Sequence, residues 1–262
     1  MTTMRVRQRS VIHAEWTKVR SVPSTLWSLL AAAALIVGLG GLYAAVRVTR
    51  PPKTPEALAA FDPTAVSLTG AQLAVFAIGI LGVLVVTAEF ATGTIRSTLA
   101  AVPRRLPVLW GKAVALSATT LVLCLPAALV AFLVGQSVLS AEHLNTTLGA
   151  PGVGRAVVGS AAYLVAVGLL GLAFGALLRS TAAGIGALFG VLFALPILVG
   201  FLPEHAADSV AKFLPSGAGA ALTSVRPDAA TELSPLGGLI VLTLYVAVAL
   251  ALAAWRLRHR DA

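Results

Sequence analysis

The sequence has 262 residues, of which 58% are hydrophobic and only 11% are charged, whereas a soluble domain carries about 25% charged residues. Because the apolar residues fall in long blocks, this composition excludes an ordinary soluble protein and predicts a chain surrounded by lipid. The formal net charge of +9 is also typical of nucleic-acid-binding proteins. The basic residues flank the apolar blocks instead of forming one stripe, which excludes nucleic acid as a partner.

The first 22 residues are basic and precede the first apolar block. Ile12, Trp16 and Val19 share one face of a helix for which Ser10 is a candidate N-cap. We expect this helix to lie in the membrane interface with Trp16 as its anchor. An ordinary basic flank is the alternative.

Six apolar blocks follow, each long enough to cross a hydrocarbon core of about 30 Å as a helix. The first starts too late and runs too long for a cleaved signal peptide. Two G-x-x-x-G patterns, at 171–175 and 186–190, permit close helix approach. We expect them to pack within the chain, and a dimer face is the alternative. Residues 47–70 and 203–235 are predicted to be loops. The predicted fold is an all-α integral membrane protein with a single domain, 1–262. Its spans are 26–46, 71–88, 108–135, 156–178, 181–202 and 236–255.

Residues 89–112, between the second and third spans, form the longest interruption with strong positive charge. Ile95, Leu99 and Val102 form an apolar stripe at helical spacing. Pro103 should end that helix, because proline lacks an amide hydrogen and clashes with the preceding turn. The pattern predicts a short amphipathic helix at the membrane surface, followed by a basic turn. A plain positively charged loop is the alternative.

Six spans place both termini on the same side of the membrane. That side carries 13 of the 19 Lys and Arg residues but only three of the ten Asp and Glu residues. The positive-inside rule therefore places both termini and the 89–112 loop in the cytoplasm. All four Trp side chains then lie at the cytoplasmic interface, where amphipathic rings are favoured. These predicted anchors are Trp16, Trp27, Trp110 and Trp255.

No pattern in the sequence predicts catalysis. A nucleotide-binding P-loop is missing, because Gly111 and Lys112 are followed by Ala113, so we expect no nucleotide on this chain. No catalytic triad, paired carboxylate or histidine cluster converges on the spans. We therefore expect no enzymatic activity, no cofactor and no metal site. The single Cys124 lies in an apolar block and is expected to be a small core residue.

We also expect no ionisable side chain in the interior of a span, where each would cost about 2.5–3.5 kcal/mol to insert. Glu89 lies at a span boundary and is expected to be a solvated or Arg-paired carboxylate at the interface. The mild polar residues within the spans either line a path or bond to backbone carbonyls.

The 89–112 stretch resembles the corresponding loop of permease subunits of type-2 ABC exporters, of the actinobacterial kind. The order is a carboxylate that ends a span, Gly-Thr, an apolar helix, Pro, two basic residues, and Gly-Lys at the start of the next span. EWTKVRS at 15–21 and FLPSG at 213–217 are similar to further short motifs of these permeases. The residues that carry the main resemblance are Glu89, Gly93, Thr94, Pro103, Arg104, Arg105, Gly111 and Lys112.

The resemblance implies a single transmembrane permease domain in the bacterial cytoplasmic membrane, paired with a second permease subunit and with a separate ABC ATPase subunit. ATP would be hydrolysed on the ATPase subunit, and the complex would export a small molecule or a lipid-like substrate. The loop helix would be the coupling helix. Contacts to the ATPase would come from Glu89, Thr92, Gly93, Thr94, Arg96, Pro103, Arg104 and Arg105. The alternative is a non-ABC membrane protein, either an ion-coupled transporter or a membrane scaffold for a signalling partner.

Overall fold

The computed structural model describes residues 23–93, 106–226 and 231–259. Within these ranges it is all-helical, and six helices are long and apolar enough to cross a membrane. The predicted fold class and the six spans are thereby confirmed, and they support a multi-pass membrane protein. The expected interfacial helix at the amino terminus and the expected coupling helix fall largely on residues 1–22 and 94–105, outside the described ranges.

The helices of the described residues are numbered here in chain order. The fifth span is divided by a π-helical turn, Gly190–Ala194, and a 3-10 turn, Ser140–Glu142, follows the third span. The long helices are α1 Pro23–Thr49, α4 Thr69–Ala91, α5 Leu106–Leu139, α6 Val153–Leu178 and α11 Pro235–His259, and the two halves of the fifth span are α7 Thr181–Phe189 and α8 Leu195–Val199. The remaining short helices are α2 Pro55–Ala59, α3 Pro63–Ser67, α9 Glu204–Ala211 and α10 Pro215–Thr223.

The two-residue connection between the fourth and fifth spans shows how local chemistry sets the helix ends. Arg179 ends α6 in the left-handed conformation, with φ of 55°. Ser180 then starts α7 as its N-cap, because its hydroxyl accepts a hydrogen bond from the amide of Ala183 at 3.4 Å. The two spans therefore turn back on each other without a longer loop.

The centre of the bundle is the contact between α4 and α6. In α6 67% of the most apolar window is buried, and in α4 50%, whereas no other span exceeds 39%. The helices approach backbone to backbone: a Cβ at Gly82 would meet the carbonyl oxygen of Gly168, and a Cβ at Gly171 would meet that of Gly79. Only glycine fits at such a crossing.

Of the two G-x-x-x-G patterns in the sequence, one packs and one does not. Gly171 and Gly175 face α4, as expected. The expectation for Gly186 and Gly190 is wrong within this chain, because a Cβ at either position would meet nothing within 4 Å. Both lie in the fifth span, the least buried of the six, and no described helix covers them.

Residues 203–235 form more than the predicted loop. They contain α9 and α10, and α10 is buried between α6 and α11. The contact is again made by glycines, since a Cβ at Gly159 would meet the carbonyl oxygen of Leu222. Arg155 lies at the carboxyl end of α10 and donates to the carbonyl oxygens of Ser224 at 2.8 Å and Val225 at 3.3 Å. A cation at this position stabilises the carboxyl end of a helix.

The end of the bundle where α4 finishes and α5 begins is called the loop end below, and the other end the opposite end. At the opposite end Gln136 ties α5 to two other segments. Its amide nitrogen donates to the Pro63 carbonyl at 3.0 Å and to the Ser67 hydroxyl at 2.9 Å, and its oxygen accepts from the Thr146 amide at 2.7 Å. The side chain is buried, so these bonds are not exposed to exchange with water.

We expect the Gln136→Leu variant to be destabilised by about 2–3 kcal/mol. Leucine keeps the volume of glutamine, but the polar groups of Pro63, Ser67 and Thr146 lose their hydrogen-bond partner. Thermal unfolding of the purified protein in detergent measures the loss. Gln72→Leu is the matched control, since Gln72 is exposed. Equal melting temperatures for the Gln136→Leu variant and the unchanged protein would contradict this role.

Candidate functional site at the loop end

The loop end brings together the carboxyl ends of α4, α6 and α11 with the amino ends of α5 and α7. Three of the residues that the resemblance assigns to partner contact are described here, namely Glu89, Thr92 and Gly93. The other five lie outside the described residues: Thr94, Arg96, Pro103, Arg104 and Arg105. The structure therefore describes the two ends of the 89–112 stretch.

An ion pair joins these two ends. The ammonium nitrogen of Lys112 lies 2.7 Å from Oε1 of Glu89, and the two side chains are 3% and 13% exposed. Glu89 was expected to be a solvated or Arg-paired carboxylate; its side chain is largely buried and pairs with a lysine of the next helix. Lys112 lies in the second turn of α5 and is buried. It is close to the end of its span, and the interiors of the described spans carry no Asp, Glu, Lys, Arg or His side chain.

The carboxyl end of α4 is closed by Thr92 and Gly93. The Thr92 amide and hydroxyl both bond to the carbonyl oxygen of Ala88, at 3.1 Å and 2.9 Å. Gly93 has a φ of +69°, the left-handed conformation that commonly follows the last turn of a helix and that favours glycine. These two residues end the span directly after Glu89 and turn the chain out of the bundle.

A second set of contacts links α4 to the turn between α6 and α7. The guanidinium of Arg179 lies over the ring of Phe90 at 5.5 Å from its centroid, a distance within the range of a cation–π contact. The Thr181 hydroxyl donates to the Thr87 hydroxyl at 2.9 Å, and that hydroxyl donates to the carbonyl of Val83 at 3.1 Å. The end of α4 is thus connected to α5 through one residue and to α7 through another.

The carboxyl end of α11 joins the same surface. Arg256 donates a hydrogen bond to the carbonyl oxygen of Leu177, in the last turn of α6. Trp255, next to it, is 61% exposed and lies 5.0 Å from the ring of His259. Trp27 and Trp110 are also exposed and lie near the loop end of their helices. Exposed rings near helix ends are compatible with interfacial anchors, which stays a prediction; Trp16 lies outside the described residues.

The described part of the loop end is electropositive. Glu89 is its one acidic residue within the described ranges, and it is already paired with Lys112. Such a surface attracts acidic groups of a lipid headgroup or of a protein. The remaining cationic residues described at this end are Arg179, Arg256 and Arg258.

Sequence reasoning missed the connections among these residues. Glu89 and Lys112 were both noted as flanking charges, but their spacing of 23 positions gives no periodic signal. Across the described residues, no group of three or more His, Cys, Asp and Glu side chains could hold a metal ion.

Neither a protein-family model nor a curated protein matches the chain. Its function has therefore to be inferred from the residues and contacts themselves.

Proposed function

We propose that this chain is the permease subunit of a type-2 ABC exporter, working with a second permease subunit and with a separate ATPase subunit. The observation that carries the proposal is the ion pair of Glu89 and Lys112, which joins the two ends of a stretch that has the sequence pattern of a coupling helix. A loop fixed in this way cannot move without moving the helices on both of its sides.

The packing gives such a movement a route into the bundle. A push on the loop would act on α4 and α5 together, and α4 is in turn in backbone contact with α6 through Gly82 and Gly171. When the ATPase subunits bind ATP and close, the docked loops would tilt these helices and alternate access between the two permeases. Substrate and ATP need not meet on this chain, which supplies the path and not the energy.

The ion-coupled alternative has one observation in its favour, the buried pair of Glu89 and Lys112. Its position argues against proton transport through the membrane, because Glu89 is two residues from the end of α4 and Lys112 is in the second turn of α5. Ion and proton pathways need ionisable groups at depth. In the described spans the Asp, Glu, Lys, Arg and His side chains all lie within about two helical turns of an end. The pair is better suited to bracing a loop.

We propose further that the loop end faces the cytoplasm of a bacterial cell. Single cysteines at Ser97 and at the exposed Ser209, each introduced together with Cys124→Ala, test this. An impermeant thiol reagent added to intact cells should label the Ser209→Cys protein alone, and labelling of both should follow once the cells are opened. Labelling of the Ser97→Cys protein in intact cells would invert the topology.

The coupling role is tested by a proline in the loop. We expect Ser97→Pro to abolish co-purification with the proposed ATPase subunit, or its transport-coupled ATP hydrolysis, because an interior proline costs a helix about 3 kcal/mol. Ser97→Ala is the matched control and should behave as the unchanged protein.

Both variants should reach the membrane at normal levels, since the ion pair and the spans are untouched, and the permease alone should hydrolyse no ATP. Normal binding and coupling in the Ser97→Pro variant would refute the docking of an ATPase at this loop.

A further inference from the structure

A second site candidate lies at the opposite end of the bundle. A cavity of about 350 Å³ is enclosed there by the start of α4, by α6, by α10 and by the segment before α11. This volume is within the range of small-molecule sites. One wall is apolar, built from Leu68, Ala71 and the ring of Tyr163. The ring is fixed against α10, because any side chain at position 219 in place of glycine would collide with it.

Three hydroxyl groups in the polar wall can only accept hydrogen bonds from a ligand. Thr69 donates its hydroxyl hydrogen to a helix carbonyl four residues earlier at 3.0 Å, and Ser160 to one three residues earlier at 2.8 Å. Thr223 likewise donates within its own helix, at 3.1 Å. Each hydroxyl has a single hydrogen, so what these oxygens retain is lone pairs. The lining also contains the hydroxyls of Tyr163 and Ser224 and the amide of Gln72, which can both donate and accept.

Two carboxylates line the same cavity, Asp62 and Glu232. Oδ1 of Asp62 caps α3 by accepting from the amides of Thr64 and Ala65, at 2.8 Å and 3.1 Å. Oε2 of Glu232 is inaccessible to solvent and accepts no hydrogen bond from any described residue. A buried carboxylate oxygen in this state is costly unless a donor reaches it. None of the described residues lining the cavity is lysine or arginine, so no described side chain of the lining neutralises the two charges.

We propose that this cavity binds a primary ammonium group carried on a small carbon framework. An ammonium group presents three N–H donors, one positive charge and no acceptor, which complements a wall of lone pairs with two carboxylates. The inaccessible oxygen of Glu232 would gain a charge-assisted hydrogen bond. The carbon framework would pack on Leu68, Ala71 and the Tyr163 ring, and an aromatic ring also attracts a nearby cation.

A metal ion fits the cavity less well. Calcium is held by six to eight oxygen atoms at about 2.3–2.6 Å, which requires a cage much smaller than 350 Å³. The apolar wall would also contribute nothing to such an ion. A quaternary ammonium would match the charge but would leave the acceptor oxygens without donors. Of these ligands, only an organic amine matches the size of the cavity, its hydrogen-bond acceptors and its apolar wall.

Binding at this cavity needs neither an ATPase nor a second permease, so it can be measured on the purified chain and can fail independently of the proposed transport function. The probe is radiolabelled 2-phenylethylamine, equilibrated at neutral pH with the full chain in lipid nanodiscs. Empty nanodiscs are subtracted, because amines partition into lipid. We expect saturable binding that unlabelled 2-phenylethanol and the N-trimethylated analogue displace far more weakly than the unlabelled amine does.

Glu232→Gln removes one charge at constant size and should weaken binding by about tenfold. Asp62→Asn should weaken it as well, while asparagine keeps the cap of α3. Glu142→Gln is the matched control, an exposed carboxylate at the same end that does not line the cavity, and should leave the affinity unchanged. Thermal unfolding checks that each variant is folded.

Four results would overturn the proposal. Two concern the probe: no saturable binding above empty nanodiscs, or displacement by the neutral alcohol or the trimethylated analogue as strong as displacement by the unlabelled amine. The other two are unchanged affinity in both folded carboxylate variants and displacement of the amine by calcium at equimolar concentration.

Discussion

The Lys112→Met variant should lose about 3 kcal/mol of stability or more, because breaking a buried ion pair leaves a charged group in a place where water cannot replace its partner. The ammonium nitrogen lies 2.7 Å from the Glu89 carboxylate, and both side chains are largely buried. Methionine preserves most of the volume of lysine, so the effect isolates the charge. The loss should appear as a lower melting temperature of the purified protein in detergent.

The double variant Glu89→Gln/Lys112→Met should recover much of this stability, since replacing both partners of a buried pair by neutral groups is often nearly neutral. Lys53→Met serves as the control for removal of a lysine, because Lys53 is exposed at the opposite end. Two results would show that the pair does not hold α4 to α5. One is an equal melting temperature for Lys112→Met and the unchanged protein. The other is a double variant less stable than both of these proteins.

The ion pair is expected to matter for coupling as well as for stability. In the double variant the loop would still be present, but the charge pair that fixes its two ends would be gone. We therefore expect the reconstituted complex to bind the ATPase while transport is less tightly coupled to ATP hydrolysis. This result would show that the loop surface binds the ATPase, while the Glu89–Lys112 pair transmits movement from the loop to the helices.

The spans could be predicted from the sequence because lipid imposes a simple rule: about 20 apolar residues in a row must form a helix. Their ends were less accurate. The third span was predicted to end at position 135, but α5 continues to Leu139 because Gln136 is bonded to α3 and the following loop instead of facing solvent. When the hydrogen-bond partners of a polar residue are distant in the sequence, that residue is easily mistaken for the end of a span.

Helix α10 escaped prediction for a related reason. It begins at Pro215 and consists mainly of glycine and alanine, so it has neither a long apolar block nor a strong periodic stripe. It is nevertheless buried, because small residues allow its backbone to approach α6 and α11. The cavity next to α10 could not be predicted either. Its lining residues Asp62, Ser160 and Glu232 are far apart along the chain and come together only in the fold.

Gly82→Ala should destabilise the protein by about 3 kcal/mol, because the added methyl group has no space at the α4–α6 contact. It would meet the carbonyl oxygen of Gly168, a backbone atom that cannot turn away as a side chain could. The helices would have to separate along the most buried contact of the bundle, and overpacking of this kind costs about 1–3 kcal/mol even where side chains can adjust. Gly171→Ala should act in the same way from the other helix, against the carbonyl oxygen of Gly79.

Gly38→Ala is the matched control for this prediction. A Cβ at Gly38 would meet nothing within 4 Å, so alanine there should leave the melting temperature unchanged or raise it slightly, since alanine favours a helix over glycine by about 1 kcal/mol. Thermal unfolding of the three variants in the same detergent compares them directly. Because force from the loop would reach α6 through this contact, Gly82→Ala should also reduce coupling in protein that remains folded. Melting of the Gly82→Ala and Gly38→Ala variants at the same temperature would show that α4 and α6 are not in backbone contact.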